Sequence, residues 1–334
     1  MDIITIDGSI GEGGGQILRT SIALSSILQK GVRIINIRKS RPRPGLGFQH
    51  VKSIELAASL SDARVKGASF GSTEVEFLPG KIKSGNFSIN MGTAGSVTLA
   101  LQSVLPIAAY APGPVILDIT GGTDVKWSPP YDYFKNVMLP ALKLFGYDIE
   151  SSLISRGYFP AGNGRVIVNA MPSALRPAKL TSRPGTIVNG VSASSKLPPH
   201  VAMRQSKAAS EYLESHGYNT GEIRLDVRND ASIGSSITLF SGFMGGSALG
   251  ERGLPAERVG LSAATSLIEE LKTNAAVDEH LTDQLIIYMV LAEGLSSLTS
   301  SKITGHTLTG IRLVEIMTGR KLSVHENEVS VIQS

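Results

Sequence analysis

The sequence predicts an α+β protein of three tandem units, each built from two helices and a four-stranded sheet, with a small α/β domain inserted in the third. Three observations point there. Helical and strand-like patterns alternate from the start of the chain. The last two strands of each unit are adjacent, which a single doubly wound sheet does not produce. The order then recurs at about 80 residues, too long for a solenoid repeat and long enough for a subdomain.

In the first unit Ile3–Ile6 is a strand and "GEGGG" a turn. An amphipathic helix follows over Gln16–Gln29, apolar at Ile17, Leu18, Ile22, Leu24 and Leu28. A strand at Val32–Arg38, a basic turn, a helix at Leu46–Leu60 and strands near Ala63–Val65 and Thr73–Phe77 complete it. The second unit has a strand at Phe87–Met91, the turn "GTAGS", a helix from Ser96 to about Leu105 and a strand at Val115–Ile119. The turn "GGTDVKWSPP", a helix at Pro130–Phe145 and strands at Tyr147–Ile154 and Arg165–Asn169 follow. The third unit shows helices at His280–Glu293 and Thr304–Met317, joined by a short connection, then strands at Lys321–Val324 and Glu328–Ile332. Ahead of it lies another alternating stretch: strand Thr186–Ala193, helix His200–Ser215, strands Ile223–Val227 and Ser236–Phe240, and helix Ala256–Leu271. Its segment "GSSITLFSGFMGGSALGERG" suits a hairpin or a mobile loop. The expected division is a large domain of residues 1–182 and 273–334, interrupted by an inserted domain of 183–272.

Bulk properties narrow the class. Hydrophobic residues make up 42 % and charged residues 18 %, which excludes a disordered chain. No apolar run approaches the roughly 18 residues of a membrane span, and "MDIITIDGSIGEGGG" lacks the basic and apolar regions of a signal peptide. Cysteine is absent, so disulfides and thiolate metal sites are excluded, in keeping with a reducing interior. A net charge of +4 is too mild to name a partner, so local patches carry more information.

Five stretches could carry chemistry. "DGSIGEGGGQILRT" places five glycines between a strand and a helix, allowing close backbone approach to a phosphate at the helix amino end, though it is not a GxxxxGK[ST] loop. Glu12 among those glycines makes sense beside phosphates chiefly if a divalent cation bridges them, and Arg19 lies one turn into the helix. The plain alternative is a glycine-rich turn with solvated charges. "IRKSRPRPGLGFQH" gathers Arg38, Lys39, Arg41 and Arg43, stiffened by Pro42 and Pro44 and followed by Gln49 and His50. Guanidinium groups suit phosphate or nucleic acid, although charge runs are often only solvated faces. Gln102 in "VTLALQSVLPIAAY" either binds a ligand or marks the solvent side of its helix. In "EHLTDQLIIYM", His280, Asp283 and Gln284 share a helical face beside Leu281, Leu285 and Met289, suggesting a metal, a relay or simple capping. In "SSKITGHTLTGIRLVEIM", Thr304 is an N-cap, Leu308, Ile311 and Val314 recur at helical spacing, and His306 sits in the first turn. A helix amino end disfavours an imidazolium and favours anions, so a neutral His306 could attack a phosphate there; a packed or solvated histidine is the plain alternative.

Seven blocks, "IDGSIGEGGGQILRTSIALS", "RPRPGLGFQHV", "GTAGSVTLALQSVLP", "GGTDVKWSPPYDYF", "GYFPAGNG", "EHLTDQL" and "GHTLTGI", span nearly the whole chain. In order and content they resemble the RNA 3'-terminal phosphate cyclase family. The resemblance implies the fold outlined above and ATP-dependent conversion of RNA 3'-phosphate ends to 2',3'-cyclic phosphate, a ligase-class reaction of RNA processing. It implies His306 as the adenylated nucleophile, with Arg19, Arg38 and Arg41 as catalytic arginines and Glu12 as the ligand of Mg2+ or Mn2+ beside ATP. Nucleotide binding would fall to Gln102, Pro129 and the run His280, Leu281, Thr282, Asp283 and Gln284. The substrate phosphate would meet Gln16, Arg43, Gln49 and His50. A cytoplasmic homodimer without membrane attachment is also implied. Two positions depart from the family: His280 stands where tyrosine is frequent, and Gly305 where some members have cysteine. A non-catalytic branch that serves ribosome assembly and lacks this histidine gives the rival reading, an RNA-binding scaffold. An enolpyruvate-type transferase is a weaker third option, since it shares the repeated unit.

Overall fold

The computed structural model describes residues 2–332. The first unit runs β1 (Ile3–Asp7), α1 (Gly15–Leu28), β2 (Gly31–Ile35), α2 (Phe48–Ser61), β3 (Arg64–Lys66) and β4 (Val75–Leu78), in sheet order β1-β2-β4-β3. Strands β1 and β2 are parallel, so α1 is a crossover, while β4 is antiparallel to β2 and β3.

The second unit repeats this with β5 (Gly85–Asn90), α3 (Val97–Ala108), β6 (Val115–Gly121), a composite helix, β7 (Ile149–Ser155) and β8 (Gly164–Ala170), ordered β5-β6-β8-β7. The composite helix starts as α4 (Tyr131–Tyr133), widens into a π segment (Phe134–Met138) and ends as α5 (Leu139–Leu144). Pro140 explains the widening. It has no N–H to donate backwards and its ring crowds the preceding turn, and the Leu139 N–H instead reaches back to the Phe134 carbonyl.

The third unit opens before the insertion, with β9 (Lys179–Leu180). The inserted segment follows as β10 (Ile187–Ser195), α6 (His200–Ser215), β11 (Asn219–Arg228), β12 (Gly234–Ser241), β13 (Met244–Leu249) and α7 (Ala256–Leu271). The unit then resumes with α8 (Glu279–Leu291), β14 (Ser297–Thr299), α9 (Gly305–Thr318), β15 (Leu322–His325) and β16 (Glu328–Val331). Its sheet order, β15-β16-β14-β9, is that of the other two units reversed in direction of listing, so all three share one topology. The sequence shows only two of these strands, because β9 and β14 are two and three residues long, too short for alternation to register. The glycine-rich stretch of the insertion forms the β12–β13 hairpin, turning at Gly242 in the left-handed region.

One continuous apolar core runs through the three repeated units, and a second, smaller one lies within the inserted segment. In the larger body α1 packs against α9, α3 and α2, and α8 against α9. The inserted segment is joined to the second unit by a buried charge cluster. Arg156, 0 % exposed, donates to Asp124 at 3.1 Å, Asp132 at 2.7 Å and, from Nε, Asp226 of β11 at 2.8 Å. Asp278 is a second junction: its buried carboxylate caps α8 at Leu281 N–H and accepts from Tyr133 Oη at 2.7 Å and from the Gly245 amide of β13. Among the described residues no helix is long and apolar enough to cross a membrane.

Candidate active site

The amino ends of α1, α2, α3 and α9 come together, and most of the residues singled out in the sequence lie there. His306 is in the first turn of α9. Thr304 caps that helix by accepting from the Thr307 N–H at 3.0 Å. The buried side of α9 carries Thr307, Ile311 and Val314, whereas Leu308, expected on the apolar stripe, is 52 % exposed. The capping geometry turns Leu308 outward because Thr307 takes the inward position to meet Asp283.

His306 Nε2 lies 3.0 Å from Glu12 Oε2, and both side chains are about half exposed. Glu12 belongs to the glycine turn after β1, 297 positions from Thr309, whose Oγ1 accepts the Glu12 N–H at 3.3 Å. A side chain at Gly305 would meet the Glu12 carboxylate, which as the end of a half-exposed side chain could move aside.

The other wall of the turn is cationic. Arg41 Nε donates to the Gly13 carbonyl at 3.1 Å, bracing the turn from the arginine loop. A Cβ at Gly15 would lie 2.7 Å from Arg19 Nη1 and 2.8 Å from His50 Nε2, so these two side chains pass directly beneath the start of α1. His50 Nδ1 accepts the Gly47 N–H at 2.9 Å, which leaves Nε2 as the protonated nitrogen of a neutral ring. Burial, reinforced by the charges of Arg19 and Arg38, pushes the His50 imidazole down to about 3. Burial lowers Arg19 to about 10, and burial with the nearby Arg41 charge lowers Arg38. Arg38 Nη1 donates to the Gly45 carbonyl, and its backbone sits at φ 54, an unfavourable conformation for a side-chain-bearing residue. Among the described residues none of Arg19, Arg38, Arg41 and Arg43 forms a salt bridge, in contrast to Arg33, Arg165 and Arg204 on the outer surfaces. Guanidinium groups without salt-bridge partners, half-buried for Arg19 and Arg38 and exposed for Arg41 and Arg43, are suited to an anion at converging helix amino ends.

The remaining residues divide. The Gln49 side-chain oxygen accepts the Ser96 N–H at the start of α3, joining the second unit to the cleft. Gln16 points its amide at Gly310 of α9, with its oxygen buried and unpaired, so it faces α9 and not the arginines. Arg43 is exposed. The Pro129 carbonyl accepts from Thr98 Oγ1 at 2.7 Å, one turn before half-buried Gln102 on α3. On α8, His280 is exposed and Gln284 reaches back to its carbonyl. Leu281 and Thr282 are fully buried; Thr282 Oγ1 is engaged with the Asp278 carbonyl and Ser300, so neither side chain faces the cleft.

Asp283 makes no relay with His280. Its Oδ1 accepts from Thr307 Oγ1 at 2.6 Å and Thr304 Oγ1 at 3.3 Å, holding the turn that carries His306. Burial, outweighing these hydroxyl donors, raises its carboxyl to about 6. Thr304, Thr307 and Thr309 thus hold the site together; Thr304 is visible as a cap, but nothing in "TGHTLT" marks Asp283 and Glu12 as the distant partners of these threonines.

Among the described residues there is no cluster of three or more His, Asp or Glu to cage a metal. The half-exposed Glu12 fits a Mg2+-like ion that takes one carboxylate and draws its other ligands from phosphate and water.

Fold and cleft together define an α+β protein of three repeated units with a histidine at a helix amino end and, among the described residues, unpaired arginines nearby. Over residues 10–324 the chain matches the family described as RNA 3'-terminal phosphate cyclase. It is 46 % identical to the RNA 3'-terminal phosphate cyclase of Archaeoglobus fulgidus, over 98 % of this chain and 100 % of that protein. It is 47 % identical to that of Pyrobaculum aerophilum, over 97 % and 95 % of the two chains, and 49 % to that of Methanococcoides burtonii, over 94 % of each. The chain belongs to the RNA 3'-terminal phosphate cyclase family.

Proposed function

We propose that this protein converts an RNA 3'-terminal phosphate to a 2',3'-cyclic phosphate at the expense of ATP, through an adenylate carried on His306. The observation that carries the reading is His306 itself, half exposed at the amino end of α9 beside Glu12 and across the turn from arginines that lack acidic partners. Family membership supplies the substrate class.

In the first step the imidazole attacks the α-phosphorus of ATP, a P–N bond forms and the bond to pyrophosphate breaks. An oxygen of the RNA 3'-phosphate then attacks the same phosphorus and the imidazole leaves, giving RNA(3')pp(5')A. Last, the adjacent 2'-hydroxyl attacks the 3'-phosphorus, its proton passes to water or a nearby base, and AMP departs. The sequence of steps supplies the leaving group that a phosphate monoester lacks. The residues of this chain divide the work. The α9 amino end favours phosphate. Arg19, Arg38 and Arg41 offset the charge that builds on the transferring phosphate. Neutral His50 and Gln49 stand on the side for the RNA phosphate, with Arg43 free to reach it and Gln16 kept against α9, and Pro129, Gln102, exposed His280 and half-buried Gln284 stand on the side for the nucleotide. Because His306 Nε2 faces the Glu12 carboxylate at 3.0 Å, attack through Nε2 needs that carboxylate turned aside, which a half-exposed glutamate has the freedom to do. Mg2+ or Mn2+ at Glu12 would supply further neutralisation for departing pyrophosphate. The division into residues 1–182 with 273–334 as the catalytic body and 183–272 as an insertion, a homodimeric state and a cytoplasmic location belong to the same reading.

The test is incubation with α-labelled ATP and Mg2+ or Mn2+, followed by denaturing electrophoresis. Acid-labile label on the wild type and none on His306→Ala is the expected result. A folded wild type that takes no label would overturn the mechanism and leave the RNA-binding scaffold.

A further inference from the structure

We propose that Phe48 and Phe70 form a stacking platform for a nucleobase of the RNA strand close to its 3'-phosphate. This rests on the RNA reading above and adds a subsite to it. Phe48 opens α2, directly ahead of Gln49 and His50, and Phe70 sits on the connection between β3 and β4. Their rings are stacked, with centroids 4.5 Å apart and planes inclined by 23°. Yet the two side chains remain 59 % and 63 % exposed, so the pair covers only one face of each ring. Two phenylalanines left this open forgo burial that either would gain in a core.

The pairing is built, not incidental. The connection bearing Phe70 is laced to the arginine loop by backbone bonds: Ile37 N–H to Thr73 O at 2.9 Å, Leu46 N–H to Ser72 O at 2.9 Å, and Gly71 N–H to Leu46 O at 2.8 Å. Gly45 and Gly71 both lie in the left-handed region, and a side chain at Gly45 would collide with the Gly71 carbonyl. This close approach brings the two strands of chain together and sets one ring against the other.

The surroundings select the occupant. Along the chain the rings have polar or cationic neighbours: the loop carrying Arg41 and Arg43 leads into Phe48, and Ser69 and Ser72 flank Phe70. An isolated aromatic pair in such a setting suits a base attached to a phosphate backbone better than an apolar protein face. Stacking on a ring also tolerates any base, which an enzyme directed at strand ends requires. The phosphate site lies close by, since His50, two residues beyond Phe48, reaches Arg19 and the start of α1.

The experiment measures the affinity of the wild type, Phe70→Ala and Phe70→Tyr for a short 3'-phosphorylated RNA by fluorescence anisotropy at fixed salt. The same measurement is made with RNAs made abasic at one position at a time near the 3' end. One abasic position should weaken wild-type binding about tenfold, Phe70→Ala should weaken binding of the intact RNA by about the same factor, and the two losses should not add. Phe70→Tyr, which keeps the ring, should bind like the wild type. Additive losses, or wild-type affinity in Phe70→Ala, overturn the platform. Loss of self-association in Phe70→Ala with RNA affinity intact would assign the pair to an interface between copies, and also overturns it. A wild type that binds no 3'-phosphorylated RNA removes both this proposal and the RNA reading, whereas RNA binding that ignores Phe70 removes the platform alone.

Discussion

Substituting Asp283 by asparagine is expected to stabilise the protein near neutral pH while slowing labelling of His306. The carboxyl is raised from 3.8 to about 6 because burial outweighs the hydroxyls of Thr307 and Thr304. A carboxyl whose folded value lies above its unfolded one binds its proton more tightly in the folded state. Its contribution is therefore fully present below pH about 4 and is lost as pH rises through about 6. The shift corresponds to about 2–3 kcal/mol, at about 1.4 kcal/mol per unit with some allowance for residual solvent contact. Asparagine keeps an oxygen for the two threonines and carries no charge to desolvate. Urea unfolding of both proteins should give similar stabilities at pH 4 and a variant ahead by about 2 kcal/mol at pH 7.5. Labelling should fall, because a neutral acceptor holds Thr304 and Thr307 less firmly than a carboxylate and the first turn of α9 loosens. A stability difference that is flat across this range would show that Asp283 titrates as it does in the unfolded chain. A variant that loses ground as pH rises would show that the hydroxyls and the helix end outweigh burial, and either result refutes the reasoning.

Two further substitutions probe the frame and the anion site. Arg156→Met should cost about 3–5 kcal/mol at pH 7, since it strands Asp124, Asp132 and Asp226 in the interior. Part of that loss should return on acidification, because orphaned buried carboxyls take up protons more readily folded than unfolded; a cost under about 1 kcal/mol, or one indifferent to pH, would contradict the account. Arg38→Gly should leave stability within about 1 kcal/mol, as relief of its left-handed backbone offsets the added freedom of the unfolded chain. The same change should reduce labelling of His306 at least about tenfold, by analogy with the loss of one donor to a developing oxyanion; undiminished labelling would remove Arg38 from the catalytic set.

The sequence was legible wherever a local pattern does the work. Periodicity located α6 and α7 at their observed limits, and the Thr304 cap located the helix carrying His306. The glycine turn and the arginine loop were visible because residue type alone announces their chemistry. What escaped was set by partners distant in the chain. β9 is a strand only because it pairs with β14, and β14 because it lies between β9 and β16. Leu308 points outward because Asp283, from α8, claims Thr307 on the inner side. Arg156 in "SRGYFP" shows no sign of its three aspartates, which lie on separate elements, and Phe48 and Phe70 become a pair only through the contact of two loops. Leu281 and Thr282 adjoin the exposed residues of α8 in sequence yet turn inward, as one helical step dictates.

The split of the third unit bears on the order in which the chain can mature. Ala178 and Ser296 join across 118 positions, and Glu12 meets Thr309 across 297. The first two units hold sheets made wholly from neighbouring sequence and can form as they leave the ribosome. β9 must wait for the whole inserted segment and for α8 before it finds β14, and the histidine reaches its glutamate later still. Contacts this distant close slowly, since a long loop has to be ordered before they are made. A nascent or truncated chain therefore carries the arginines and the glycine turn without His306. On the proposed reaction such a chain would hold phosphate yet spend no nucleotide until α9 has docked.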